Sequence, residues 1–313
     1  MQEPTKQINT PVVSICCICY NHELFVKDAI ESFLVQKTTF PFEIVISDDC
    51  SKDSTRTILA EYKNKFPNII RDVSPEKNLG LYENLSHVQR SARGKYIALC
   101  EGDDFWTDPY KLQKQVDMLE KDSTLIACVT NTSTVDMQGN ILSVKRENVV
   151  QNNCEGIYDI HAFFQKPQHQ YPTATVCFRS THIEEILRKY QHCKNPFLGD
   201  WPLWIILHSY GKFYYIDEVT AAYRINPNSI THTANRVARA KASREICRNV
   251  ADILPEEYAD IAKKMRDTRW TWLPIMFAYK AEKRYIPMIG ALCMCIIQCP
   301  YSLWEAWKNR KKR

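Results

Sequence analysis

The chain has 313 residues, 45% of them hydrophobic and 25% charged, with a formal net charge of +5. That is ordinary globular composition, enough for one large domain or two modest ones, and it excludes low-complexity and fibrous chains. No basic stripe with interleaved aromatics runs through the body, so nucleic acid is not the expected partner.

Thirteen cysteines is an odd number, and Cys16, Cys17, Cys19, Cys100, Cys128 and Cys177 lie inside apolar runs. They read as buried, reduced thiols of a cytoplasmic protein. Cys16 and Cys19 have C-x-x-C spacing, but strand positions three apart face opposite sides and cannot clamp one zinc ion. Residues 1–10 are polar and lack the apolar core of a signal peptide.

The first hundred residues alternate strand and helix. Val12–Cys19 is a near-continuous apolar run, the pattern of a parallel strand buried on both faces, and it ends at Tyr20-Asn21-His22. Val26, Ile30, Phe33 and Leu34 mark a helix. Phe42–Ser47 is a second strand, ending at Asp48-Asp49, and Ser51 is placed to cap the helix that carries Ile58, Leu59, Tyr62 and Phe66. Ile69–Ser74 is a third strand, Lys77-Asn78-Leu79-Gly80 a loop, and Leu81, Leu85, Val88 and Ala92 line the next helix. Tyr96–Cys100 is the fourth strand. This alternation predicts an α/β fold, a mostly parallel sheet flanked by helices.

The fourth strand stops at Glu101-Gly102-Asp103-Asp104, three carboxylates and a glycine. Open α/β sheets bind ligands at the carboxyl ends of their strands. Carboxylates so close repel unless a positive charge is shared among them, and oxygen ligands suit Mg²⁺ or Mn²⁺. The alternative is an exposed acidic turn ahead of a helix that opens at Asp108-Pro109. Tyr20-Asn21, Asp48-Asp49 and Glu101–Asp104 fall on one edge of the predicted sheet. An aromatic ring there can stack on a base, and carboxylates can accept from a base N–H or from ribose hydroxyls. Neither G-x-G-x-x-G nor G-x-x-x-x-G-K-[ST] occurs, so a metal rather than a glycine loop must meet a diphosphate.

Val13-Ser14 through Tyr20-Asn21, then Ile44–Thr55, Asn78-Leu79-Gly80 and Gly94–Asp104 resemble, in order and spacing across residues 12–125, the successive blocks of family 2 glycosyltransferases. The resemblance implies a glycosyltransferase A fold, a nucleotide-sugar donor (a UDP-sugar first among them), a divalent Mn or Mg ion and inverting transfer. By position, Tyr20 and Asp49 hold the nucleobase with Asp48 nearby, and Cys19, Asn21, Lys77, Gly102 and Asp104 complete the donor side. Glu101-Gly102-Asp103 stands at the family's D-x-D, with Asp103 the metal ligand. Glu101 departs from the usual first aspartate and is one methylene longer.

The second half carries fewer signals. Leu112, Val116 and Leu119 turn inward on the helix after Asp108-Pro109. Leu125–Asn131 and Ile141–Arg146 read as strands joined at Gln138-Gly139-Asn140, and Thr173–Phe178, Lys212–Asp217 and Ala221–Ile225 as further strands. Asp200 is a lone carboxylate beside Trp201, Leu203 and Trp204. It reads as a helix N-cap ahead of Pro202, as a general base whose pKa apolar neighbours raise, or as both. The resemblance favours the base, with Trp201 on the acceptor side, although Gly199-Asp200 keeps only the second acid of the family's pair. Tyr223-Arg224-Ile225-Asn226 resembles the family's late Tyr-Arg segment, with Asn226 where a histidine often stands. The nearest histidine, His232, is a second candidate metal ligand, and Arg224 reads as structural before phosphate-binding.

The expected organisation is a catalytic domain over 1–233, divided into a nucleotide-sugar half at 12–125 and an acceptor half at 126–233, then a helical extension over 234–313. Pro287, Gln298 and Pro300 interrupt the apolar stretch 286–304, which argues against a full span. Trp270, Trp272, Trp304, Trp307 and the basic end Lys308–Arg313 suit either a peripheral anchor at the inner membrane face or a packed subdomain. The reading is a metal-dependent inverting glycosyltransferase acting on a glycan or lipid-linked acceptor in surface polysaccharide assembly. Set against it are an inactive nucleotide-sugar-binding module, which only Asp200 distinguishes, and a Mg-dependent phosphoacceptor signalling domain, which does not use Glu101–Asp104.

Overall fold

The computed structural model describes residues 10–147, 149–150, 153–165, 171–194, 199–226, 235–266 and 268–298. The chain divides into two compact units, residues 1–187 with 210–225, and residues 188–209 with 226–313.

The first unit is built on β1 (Val13–Cys19), buried along its whole length. A strand with both faces covered needs apolar side chains at every position, which explains the run from Val13 to Cys19. β2 (Phe42–Asp48) and β4 (Tyr96–Leu99) pair with it in parallel on either side, and β3 (Ile70–Asp72) lies beyond β2. The crossovers carry α1 (Val26–Leu34), α2 (Thr55–Lys65) and α3 (Leu81–Arg90). Val26, Ile30 and Phe33 are buried, as their spacing predicts.

The chain continues through β5 (Phe105–Trp106), α4 (Lys111–Lys121), β6 (Leu125–Val135), β7 (Ile141–Ser143), β8 (Gly156–Tyr158), α5 (Ile160–Gln165), β9 (Val176–Arg179), α6 (Ile183–His192) and β10 (Lys212–Arg224). One ten-stranded sheet results, in the order β3-β2-β1-β4-β9-β6-β10-β5, with β7 on β6 and β8 on β10. Its first half is parallel as expected. β9 then runs antiparallel to both β4 and β6, so the sheet as a whole is mixed.

Several local expectations shift. α2 starts at Thr55 rather than after Ser51, whose hydroxyl is engaged elsewhere. Residues 212–217 and 221–225 form one strand, because β10 stays paired to β6 through register shifts between Tyr215 and Ala221. Thr173–Thr175 is a 3₁₀ turn ahead of β9. Lys111 is fully buried and donates to Gln115 Oε1 at 2.6 Å, with its ammonium 4.3 Å from the Trp106 ring centre. Burial pulls its pKa down to about 8.

The second unit contains α7 (Trp201–His208), α8 (Arg236–Ile253), α9 (Ala259–Arg266), α10 (Thr268–Ala281) and α11 (Tyr285–Gln298). Asn235 caps α8, its Oδ1 accepting from the Val237 and Ala238 amides at 2.9 and 3.1 Å. Val237, Ile275, Ala278, Tyr279 and Ala291 form a small core among α8, α10 and α11. Among the described residues no helix is long and apolar enough to cross a membrane. Trp304, Trp307 and the basic end lie outside the described residues, as do the side chains of Trp270 and Trp272. Among the described residues the cysteines whose state is defined, including Cys16 and Cys19, are free thiols.

At the amino-terminal edge of the parallel strands, Ser14 Oγ donates to Glu43 Oε1 at 2.7 Å and accepts from the Gly94 amide at 2.8 Å. Glu43 also binds Arg71 at 2.9 Å. Gly94 is glycine because a Cβ there would lie 2.6 Å from the Ser14 nitrogen and 2.8 Å from the Val13 carbonyl carbon. Backbone cannot yield as a side chain does, so Gly94→Ala is expected to cost about 1–3 kcal/mol. Urea unfolding should show a lower midpoint with an unchanged slope; an unchanged midpoint would mean that β1 and the β4 approach are not tightly joined.

Candidate functional site

The site is assembled at the carboxyl edge of β2, β1 and β4. Cys19 lies opposite Asp48 in the register, and the Asp49 amide donates to the Cys19 carbonyl at 2.9 Å. Beyond β4, the Cys100 amide donates to the Cys16 carbonyl at 3.3 Å and the Gly102 amide to the Ile18 carbonyl at 3.0 Å. The Glu101–Asp104 loop is therefore laid along the end of β1. Gly102 is what permits this: a Cβ there would stand 2.5 Å from Cys19 Sγ and 2.9 Å from His22 Nδ1. Cys19 thus forms a buried wall under the acid loop rather than an accessible ligand.

Side-chain-to-backbone bonds tie the first two loops together. Asn21 sits in the left-handed region at φ 57°, its Oδ1 accepts from the Lys52 amide at 2.8 Å, and its own amide donates to Ser51 Oγ at 2.8 Å. The His22 amide donates to Thr55 Oγ1 at 2.8 Å. Asp48 is fully buried, and its carboxylate accepts from both the hydroxyl and the amide of Ser51. Asn21 and Asp48 therefore hold loop geometry. Tyr20 is 44% exposed at the tip.

Asp49 accepts from the amides of Leu79 and Gly80 at 2.6 and 2.8 Å, and its carbonyl accepts from Asn78 Nδ2 at 2.7 Å. The Asn78-Leu79-Gly80 block seats this carboxylate, with Gly80 at φ 78° making the turn into α3. Each carboxylate oxygen keeps a second lone pair for a ligand. Lys77 is exposed on the same loop.

In the acid loop, Asp104 is buried and its Oδ1 accepts from the Arg224 amide at 2.8 Å. Burial first, then the charges of Asp103 and Glu101, push its carboxyl well above the usual range. The Arg224 guanidinium donates to the Asp103 and Met137 carbonyls at 2.9 and 2.8 Å and to Asp28 Oδ2 at 2.8 Å. Arg224 is thus a structural clamp on the loop. Asp103 Oδ2 stands 3.8 Å from His22 Nε2, while Asp103 Oδ1 and His22 Nδ1 are buried without hydrogen-bond partners.

An orphaned carboxylate oxygen amid clustered negative charge fits a divalent cation. Among the described residues no three His, Cys, Asp or Glu side chains converge to enclose an ion. Mg²⁺ and similar hard ions held by one or two carboxylates plus substrate phosphates need no such cage. Asp103 is the residue placed to hold the ion, with Glu101 half-buried two residues earlier. His232 lies outside the described residues. Sequence reasoning passed over His22 and Asp28. The position of His22 directly after Tyr20-Asn21 is a signal for the first; the Asp28–Arg224 pair, 196 residues apart, left none.

Asp200 and Trp201 belong to the second unit. Asp200 occupies the N-cap position of α7 with Pro202 in the first turn, but its backbone is helical, φ −87° and ψ −38°, and its side chain makes no capping hydrogen bond. The cap reading from sequence is therefore correct in position and wrong in bonding. Trp201 is half-buried, Trp204 buried, and the Tyr190 hydroxyl donates to the Gly199 carbonyl at 2.6 Å just before the helix.

Comparison with known proteins bears on the family and the fold. An uncharacterized protein of Mycobacterium tuberculosis is 43% identical over 116 residues, 37% of this chain and 34% of that one. Chondroitin synthase of Escherichia coli is 34% identical over 133 residues, 42% of this chain and 19% of that one. The matched part thus spans about a third of the mycobacterial relative's length and a fifth of the synthase's. The crystal structure of Staphylococcus aureus TarS with UDP-GlcNAc shares the fold, with a TM-score of 0.67 at 17% identity over 91% of this chain and 80% of that one. The family profile described as glycosyl transferase family 2 matches residues 14–186, more than half of the chain. The chain belongs to glycosyl transferase family 2.

Proposed function

We propose that the chain is an inverting glycosyltransferase that moves a sugar from a nucleotide-sugar, first of all a UDP-sugar, to an acceptor hydroxyl in surface polysaccharide or glycan assembly. The observation that carries this reading is the meeting of three strand-end loops around Asp103, whose Oδ1 is buried and unpartnered. The exposed Tyr20 ring is suited to stack on the base, and the remaining lone pairs of Asp49 to accept from a base N–H. Glu101 is suited to the ribose or to an ion-bound water. A Mn²⁺ or Mg²⁺ held by Asp103 would supply charge neutralisation for the departing diphosphate. Names of relatives support the class of reaction: one is named a chondroitin synthase, and TarS was crystallised with UDP-GlcNAc.

Asp200 is the proposed base. Its carboxylate takes the proton of the acceptor hydroxyl as the new C–O bond forms and the anomeric bond to the nucleotide oxygen breaks on the opposite face. One displacement inverts the anomeric centre, with Trp201 as an acceptor-side wall. The phosphoacceptor alternative needs a domain of about 120 residues, whereas this sheet is completed only by β10, at residues 212–224. The exposed Tyr285, Ile286 and Ile289 on α11, beside exposed Lys283 and Arg284, support peripheral contact with an anionic membrane face.

Asp103→Asn is expected to keep the unfolding midpoint while abolishing Mn²⁺-dependent donor binding in calorimetry, and EDTA should do the same to the native chain. Donor binding or turnover that survives excess EDTA would exclude the ion's role. Asp200→Asn should lower kcat by about 10²–10⁴ with donor affinity unchanged. Turnover is read per folded molecule, so that a change in the variant's melting temperature is kept apart from loss of the base. Normal turnover in the variant, or an α-linked product from an α-linked donor in proton NMR, would remove Asp200 as base or the single displacement respectively. Ile286→Glu with Ile289→Glu should reduce flotation with phosphatidylglycerol liposomes; equal flotation would rule out contact through α11.

A further inference from the structure

Just beyond the end of β1, His22 is held from two directions. Its amide donates to Thr55 Oγ1 at 2.8 Å, which fixes the backbone. One edge of its ring lies against Gly102, with Nδ1 2.9 Å from where a Cβ of that glycine would stand and Cys19 Sγ 2.5 Å from the same point. Nδ1 is buried there without a hydrogen-bond partner. The other ring nitrogen, Nε2, faces the carboxylate of Asp103.

The two side chains are close without bonding. Nε2 stands 3.8 Å from Asp103 Oδ2, beyond hydrogen-bond reach, and each side chain is only 16% exposed. Nitrogen and oxygen ligands each lie about 2.1 Å from a small divalent ion, so two ligands of one ion are at most about 4.2 Å apart. The gap between Nε2 and Oδ2 falls inside that limit: too wide for a hydrogen bond, it is wide enough for a shared ion. Asp103 Oδ1, buried and unpartnered, adds a second oxygen on the same carboxylate. Two protein ligands leave the ion's other positions open, which agrees with the absence, among the described residues, of three side chains enclosing one. An imidazole nitrogen in an otherwise oxygen set favours a first-row transition ion over Mg²⁺.

We propose that His22 is the second protein ligand of the divalent ion at Asp103, seating it through Nε2 and leaving the remaining positions to the donor diphosphate and water. The proposal deepens the ion-dependent reading of the donor site and rests on it. The test reads the ion directly rather than turnover. Mn²⁺ is added to the full chain with UDP, and pulsed electron paramagnetic resonance reports whether an imidazole nitrogen is coordinated. Unbound Mn²⁺ in the same samples, measured by its continuous-wave signal, gives the affinity. Two variants remove Nε2: His22→Asn keeps an amide near the place of Nδ1, and His22→Gln keeps side-chain length. Either one that retains the native near-ultraviolet circular dichroism serves.

The native chain should show the imidazole nitrogen. The His22 variant should lose it and bind Mn²⁺ about tenfold or more weakly, whereas His232→Gln should keep both. Bound Mn²⁺ with no imidazole nitrogen in the native chain would overturn the proposal and leave the ion's role at Asp103 standing. A nitrogen signal that survives in the His22 variant, or vanishes in His232→Gln, would overturn it by placing the ligand elsewhere. Tighter Mn²⁺ binding in the His22 variant would do the same, because His22 would then be a cation competing for Asp103. If the native chain with UDP binds no Mn²⁺, the ion-dependent reading fails and this proposal with it.

Discussion

A buried guanidinium holds the acid loop in its working shape. Arg224 ends the last strand of the sheet and is only 3% exposed, yet its Nε, Nη1 and Nη2 all have acceptors and its amide reaches Asp104. A charge taken out of water is costly unless it is paired and hydrogen-bonded, so this arrangement is tolerated only as a complete set. Phe25 and Phe105 add ring faces 4.8 and 5.3 Å from the guanidinium carbon. The clamp binds the backbone of Asp103 and leaves its carboxylate oxygen Oδ1 unpartnered. Structural and ligand-directed roles are thereby divided within a single loop.

The same division recurs across the crevice. Asp48 and Asp49 are adjacent and chemically identical, but they alternate sides as strand-end neighbours do. Asp48 turns into the β2–α2 loop and binds Ser51; Asp49 turns towards the Leu79 and Gly80 amides. Asn21 binds backbone of the next loop, whereas Tyr20 stays exposed. Each loop therefore contributes one residue that fixes its shape and one that is left for a ligand. Such preorganisation favours binding of the proposed nucleotide-sugar, because ordering the loops at the moment of binding would cost affinity.

Much of this was legible in the order of the residues. The apolar run from Val13 to Cys19 marked a strand buried on both faces, and acids at the ends of two such strands marked the ligand edge. Four motif blocks in order identified the family. Other features were not legible. Ser51 looked like a helix cap, because a serine ahead of an apolar periodicity has the same pattern whether its hydroxyl turns to its own helix or to Asp48. Lys111 sits in a helix whose neighbours read correctly, but no local pattern says that an ammonium is carried inward to Gln115 and the Trp106 ring.

By itself the sequence determined the alternation of strand and helix, the parallel half of the sheet, the family and the candidate acids, since periodicity and strand-end position are local properties of a chain. Tertiary structure alone decided that the sheet becomes mixed at β9, that Asp28 meets Arg224, that His22 stands beside Asp103, and that Asp200 heads its helix without capping it. Those outcomes depend on which distant groups compete for the same hydrogen-bonding atoms and the same dry space. A buried polar group takes the partner that folding brings within about 3 Å, and that partner is chosen by the packing of the whole sheet rather than by its neighbours in sequence.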